Sequence, residues 1–261
     1  MNEQLYMIPL MDAFRAEDEC PFCYIERNVE QNALDFVLGP QASYMQDHVR
    51  AETDKIGFCR AHYKKMFEYG ETLANALILD TRMQTLLGEM KKELKHYSET
   101  SKVGMMDKLR KDTNAVKSSN NVSKWIHEKE ESCYICDHIK RNYERYIATF
   151  FYMYKRQDAE FIELVKNGKG MCLHHFADIL DAAPIYLNKK EQEELRGILF
   201  PQMEANMERV LEDIDWLEKK FDYRYKDAEW KESRDAVQRA MQKINGGYPA
   251  DPPYSGRTVK K

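Results

Sequence analysis

All six cysteines of this chain fall into one pattern that occurs twice. Cys20, Cys23, Cys59 and His62 recur as Cys133, Cys136, Cys172 and His175, each 113 residues further on, and in both sets the third member follows the second by 36 positions. Three thiolates and an imidazole suit a tetrahedral zinc ion, with bonds of ~2.3 Å to sulfur and ~2.0–2.1 Å to nitrogen. The repeat therefore predicts two zinc ions per chain, each held by a closed Cys3His set. Disulfides are the competing use of cysteine, but they need an oxidising compartment and leave the two matched histidines unexplained. Binding within each repeat is the expected arrangement, with a helix out and a short helix back filling the 36-residue gap. The exchanged arrangement, in which Cys20 and Cys23 meet Cys172 and His175, is the alternative.

Register selects the fourth ligand of the second set. His174 aligns with Ala61, whereas His175 aligns with His62 and shares a helix face with Cys172 at i and i+3. Gly57 and Gly170 also align, two residues before the third cysteines. A glycine there allows positive φ where the chain turns into the ligand pair.

The elements that must carry these ligands read as helices throughout, and no segment alternates long enough to suggest a strand. In the first half the pattern predicts a short helix over Pro9–Ala16, a helix opened by Cys20–Cys23, and a short helix near Tyr44–Thr53. A helix opened by Cys59–His62 and broken at Gly70 follows, then a long one to Tyr97 with Ala76, Leu79, Met83, Leu86, Met90 and Leu94 as its core stripe. The second half repeats the order. Cys133–Cys136 opens a helix to about Lys155, a short helix covers Ala159–Lys166, and Cys172–His175 opens a helix expected to stop near Pro184. The last helix carries Leu195, Leu199, Met203, Met207, Val210, Ile214, Leu217 and Phe221, and Pro201 is expected to kink or divide it. Tyr143, Tyr146, Ile147, Phe150 and Tyr154 lie at helical spacing as a core face. The stretch from Trp216 to Trp230 suits either packing or a partner surface.

The fold class this implies is all-α, with two pseudo-symmetric repeats organised around Cys3His sites and long amphipathic helices packed as a bundle. Residues 1–98 form the first repeat, 99–123 a polar linker, 124–221 the second repeat, and 222–261 an aromatic helix and extended tail. The two long helices are expected to cover each other's apolar stripes. A net charge of −4 and a pI near 6.0 give no electrostatic reason to expect nucleic acid. No apolar run approaches the ~20 residues of a membrane span, and Met1–Ala16 lacks the apolar core of a signal peptide. A cytoplasmic location, where thiols stay reduced, is the expectation.

The ligand motifs Cys20-Pro21-Phe22-Cys23, Gly57-Phe58-Cys59-Arg60-Ala61-His62, Cys133-Tyr134-Ile135-Cys136 and Met171-Cys172-Leu173-His174-His175, with Phe221-Asp222-Tyr223-Arg224, resemble a family of uncharacterised bacterial cysteine-rich helical proteins known only as a domain of unknown function. The resemblance covers about Asp12 to Ile244 and implies a metal-binding helical fold without adding a reaction. Three function classes follow. The first is a non-enzymatic binding or regulatory protein, with another protein as partner, braced by two structural zinc sites. The second is a redox protein using iron–sulfur clusters or oxidant-sensitive zinc thiolates. The third is an enzyme, which four protein ligands per metal disfavour, since catalytic zinc keeps one position open. No phosphate loop, nucleophile elbow or His-Glu-x-x-His helix is present.

Overall fold

The computed structural model describes residues 4–41, 43–99 and 120–247. Most of the expected linker and the extended tail after residue 247 lie outside the described residues. Among the described residues the chain is helical, and its only β pairing is an isolated bridge between Glu99 and Asn120. The helices are α1 (Gln4–Arg15), α2 (Pro21–Leu38), α3 (Asp47–Ile56), α4 (Arg60–Tyr69), α5 (Thr72–Lys95), α6 (Asn121–Glu131), α7 (Tyr134–Lys155), α8 (Ala159–Asn167), α9 (Leu173–Tyr186), α10 (Lys189–Lys220) and α11 (Ala236–Asn245).

The chain separates into two compact units that interleave along the sequence. One combines the residues up to Val29 with those from Ile139 onward, and the other is Glu30–His138. In the first unit, α7 supplies the predicted aromatic face: Phe150 and Tyr154 are at most 2% exposed, and Tyr146 and Ile147 are buried beside them. Phe22 from α2, Phe161 from α8 and Leu199 from α10 join the same core. Removing each such side chain from water contributes about 1.5–3 kcal/mol, so these contacts dominate the unit's stability. Helix starts are fixed locally. Asp158 accepts from Phe161 N at 3.0 Å, and Asn188 with Glu191 forms a capping box at the head of α10.

The two prolines interrupt less than expected: α9 ends at Tyr186, two residues beyond Pro184, and Pro201 does not divide α10. Pro184 lies in the last turn of α9, where only one helical hydrogen bond is lost. Pro201 sits mid-helix, where Leu195, Leu199 and Met203 are buried on one face and hold the turns on either side. Along α10 the predicted stripe is otherwise correct up to Val210, but Phe221 is 86% exposed. The Trp216–Trp230 stretch folds locally. Trp216 Nε1 donates to Glu229 O at 3.0 Å, and Lys220 Nζ is surrounded by the carbonyls of Tyr225, Lys226 and Ala228.

In the second unit α5 packs on α3, α4 and α6. The stripe read from the sequence is the wrong face: Leu79, Met83, Met90 and Leu94 are exposed, and Ala74, Ile78 and Arg82 are buried. Arg82 decides this rotation. Its guanidinium donates to the carbonyls of Asp54 and Lys55, satisfying the open C-terminal end of α3. A burial-seeking pattern that assigns arginine to solvent cannot anticipate that. The helix α6 lies where the sequence reads as linker and early second repeat. It is started by Asn120, whose side chain accepts from Ser123 N, and tied to α5 by Trp125 and Lys129 on Glu89.

Candidate metal centres

Every ligand motif occupies the first turn of a helix. Cys59 and Cys172 are the N-caps of α4 and α9, and Cys20 and Cys133 immediately precede α2 and α7. The two-residue spacing then places Cys23, His62, Cys136 and His175 at the third helical position, where a capping box would put its second member. Two of the sulfurs act as caps: Cys172 Sγ accepts from His175 N at 3.4 Å and Cys133 Sγ from Cys136 N at 3.5 Å, whereas Cys59 makes no side-chain cap bond. The N-terminal end of a helix favours negative charge, so each motif stabilises the thiolates that a metal requires. Both predicted glycines take positive φ, +76° at Gly57 and at Gly170. A Cβ on Gly57 would stand 2.8 Å from the Arg82 guanidinium, and one on Gly170 3.0 Å from Met203 Sδ.

The four motifs gather into two clusters, and the pairing is exchanged between the repeats. Cys20, Cys23, Cys172 and His175 meet in the first unit, and Cys59, His62, Cys133 and Cys136 in the second, with the ligand atoms of each set within 4.8 Å of one another. Binding within each repeat, the arrangement expected from the sequence, is therefore corrected. Helix lengths give the reason. At 1.5 Å per residue the 18-residue α2 carries the chain about 27 Å outward, and the 10-residue α3 returns only about 15 Å. The same mismatch, 22 residues against 9, separates Cys136 from Cys172.

The distances within each cluster fit one ion. Cys23 and Cys172 sulfurs are 3.7 Å apart, and those of Cys59 and Cys136 3.9 Å. A tetrahedron with ~2.3 Å metal–sulfur bonds has edges of about 3.8 Å, whereas a disulfide needs ~2.05 Å. All six cysteines are free. His175 Nδ1 lies 3.3, 3.4 and 3.2 Å from the sulfurs of Cys20, Cys23 and Cys172. His62 Nδ1 lies 3.2, 3.2 and 3.4 Å from those of Cys59, Cys133 and Cys136. Each histidine thus turns the same nitrogen inward.

The outward nitrogens meet carboxylates that sequence reading missed. His62 Nε2 is 2.9 Å from Glu30 Oε1, which also receives Lys65 Nζ at 2.5 Å. His175 Nε2 is 3.2 Å from Glu26 Oε2, an ion-pair contact without the direction of a good hydrogen bond. A carboxylate behind a ligating imidazole fixes its tautomer and raises its basicity. Both glutamates lie on α2, four residues apart, but their repeat positions are Ile139 and Tyr143, so the 113-residue register gives no signal for them.

Without metal, the clusters hold paired charges. Burial opposes charging of His62, but hydrogen bonds to Cys133 and Glu30 outweigh it and raise its pKa to about 10. Burial likewise opposes ionising Cys133, yet His62 brings it down to about 6, while burial and the Cys133 charge push Cys136 up. In the first cluster burial is again outweighed at His175, raised to about 12 by Cys172 and Cys23. Cys172 is pulled far down by hydrogen bonds from Cys20 and Cys23, and burial raises Cys20.

The two clusters differ in cover. The first is wholly buried, with its four ligands at most 1% exposed, and the rings of Phe22 and Tyr143 lie 5.8 and 5.2 Å from His175. α11 closes it: a Cβ on Gly246 would stand 3.5 Å from Cys172 Sγ and 3.6 Å from Cys23 Sγ. Lys243, 1% exposed, donates to Glu19 O at 2.7 Å and to Lys169 O, on the chain leading to Cys20 and Cys172. In the second cluster His62 and Cys133 are buried, but Cys59 is half-buried and Cys136 exposed.

A family model of unknown function, DUF6062, matches residues 1–251. The chain belongs to that family. No curated protein and no solved structure matches it. The family description adds no activity, so the chemistry must come from the two clusters, each of which can hold a metal ion.

Proposed function

We propose that the protein binds two zinc ions as structural centres, one at Cys20, Cys23, Cys172 and His175 and one at Cys59, His62, Cys133 and Cys136, and that it serves as a binding or regulatory protein with another protein as partner. The observation that carries the metal assignment is the pair of tetrahedral edges, 3.7 and 3.9 Å between sulfurs, with an inward Nδ1 and an outward Nε2 facing a carboxylate in both clusters. A multi-iron cluster would need ligands spread around a core of several atoms, whereas these all lie within 4.8 Å. Zinc bound here supplies fold stability, because it ties two helix starts distant in sequence to one point. Four protein ligands complete the tetrahedron, which supports a structural role over Lewis-acid catalysis.

A cleft of about 760 Å³ lies beside the first cluster, reached by Pro21 and Met171. At its rim Arg15 pairs with Asp12 and Glu160, and Lys169 Nζ donates to the backbone carbonyl of Glu17 at 2.7 Å. Metal analysis with an absorption spectrum tests the proposal. Two zinc per colourless chain is expected, and chelation should lower helicity in part, since binding energies of ~10–16 kcal/mol in small zinc modules are folding energies. Iron with visible absorption, or unchanged circular dichroism after verified zinc removal, would overturn it.

A further inference from the structure

The two centres have the same donors, the same histidine geometry and the same position at helix starts, yet solvent reaches only one of them. We propose that the second centre is a peroxide-sensitive site: Cys136 and Cys59 are oxidised to a disulfide, expelling zinc from that centre while the first keeps its ion. The inference rests on the zinc reading above.

Cys136 is the one exposed ligand among the eight, and Cys59 is the next least covered. Their sulfurs are 3.9 Å apart and must close to ~2.05 Å. They belong to different helices, α4 and α7, whose starts are already fastened: Tyr134 N donates to Gly57 O at 2.9 Å, and Ser132 Oγ to Ile56 O at 2.6 Å. The bond can therefore form with a small shift and without separating the helices. In the first centre the corresponding sulfurs of Cys23 and Cys172 are 3.7 Å apart, so proximity alone does not distinguish the sites. Access does. Gly246 lies against both of those sulfurs, and α11 is held there by Lys243 and by Gln242, whose Nε2 donates to Asp18 Oδ1 at 2.6 Å.

The step balances with hydrogen peroxide as the oxidant. The Cys136 thiolate attacks one peroxide oxygen, the O–O bond breaks, and a sulfenic acid and hydroxide result. The Cys59 thiolate then displaces the second hydroxide and forms the S–S bond. The sulfurs together lose two electrons, the peroxide gains two, and two solvent protons turn the hydroxides into water. His62 and Cys133 remain, and two ligands do not retain zinc, which leaves as the dication. Accessible thiolates are the ones that oxidants reach, and buried structural ones stay inert.

The test begins with the zinc-loaded full-length chain, whose metal content is measured first. A content other than two zinc would overturn the metal reading and leave the order of release without meaning. With two present, hydrogen peroxide is added in the presence of a chromogenic zinc chelator, and the cysteines are mapped by mass spectrometry. The expected result is release of one zinc per chain, at least about ten-fold faster than the other, with a Cys59–Cys136 disulfide and with Cys20, Cys23 and Cys172 still reduced. Simultaneous loss of both ions, earlier oxidation of the first centre, or retention of both under excess peroxide would each overturn the inference.

Discussion

Cys133 Sγ lies 3.2 Å from His62 Nδ1 across 71 residues of chain, so the second cluster joins the end of one repeat to the start of the next. Its counterpart joins Cys20 to His175 at 3.3 Å across 155 residues. Replacing one ligand should therefore loosen helix starts that are far apart in sequence and leave its own repeat's first motif intact. For Cys59→Ser we expect loss of one zinc per chain and faster hydrogen exchange at residues 57–62 and 133–138. Protection at residues 20–23 and 172–175 should be unchanged. Loosening at 20–23 would restore the within-repeat pairing.

The ligand set was legible because a duplication printed it twice at one offset, and Gly57 and Gly170 followed from the same register. The pairing was not legible, since equal spacing is compatible with either closure and the motifs themselves do not say which helix starts meet. The buried face of α5 was also missed. Its apolar residues surround much of the helix, and a single arginine chooses the face that packs. Lys243 and Gln242 escaped for a related reason: the carbonyls and carboxylates they meet come from Asp18, Glu19 and Lys169, over 70 residues away at the nearest.

Glu30 should tune the second centre through His62. Glu30→Gln keeps a hydrogen-bond acceptor at similar size but removes the charge behind Nε2, so zinc affinity at that centre should fall about 10–100-fold. Competition with a chelator of known affinity reads the change. Equal loss at both centres, or none at either, would contradict the role given to this carboxylate.

Zinc binding at the second centre should strengthen steeply with pH. Metal must displace the proton of His62, whose metal-free pKa is about 10, and that of Cys136, whose thiol is pushed up by burial. Both protons are therefore present in the metal-free cluster at pH 7–9, and affinity should rise at least about a hundred-fold per pH unit there. The metal-free fold runs the other way. A raised histidine pKa contributes stability fully present below its ordinary value of 6.5 and lost as pH rises through about 10. Titrations with zinc at fixed pH values, beside thermal unfolding of the stripped protein, check both slopes; a flat affinity across that range would contradict the protonation states assigned to the cluster.

Gly246 should be the most sensitive position outside the ligands of the first centre. Its φ of +78° and ψ of −176° fall in a region that side-chain-bearing residues avoid, at a cost of about 1–3 kcal/mol. The space is less of an obstacle, because an added Cβ would meet the sulfurs of Cys172 and Cys23 at ordinary contact distances of 3.5 and 3.6 Å. Strain rather than collision should thus drive the effect of Gly246→Ala, and its relief requires the end of α11 to lift from the cluster. The expected outcome is a lower unfolding temperature with thiol labelling newly detectable at Cys23 and Cys172, while labelling at Cys136 keeps its original rate. Gly247→Ala provides the control. It also sits at positive φ, +67°, but among the described residues nothing beyond its chain neighbours lies within 4 Å of its added Cβ, so it should strain the backbone without exposing those sulfurs. Equal labelling in the two variants would mean that α11 does not seal the first centre.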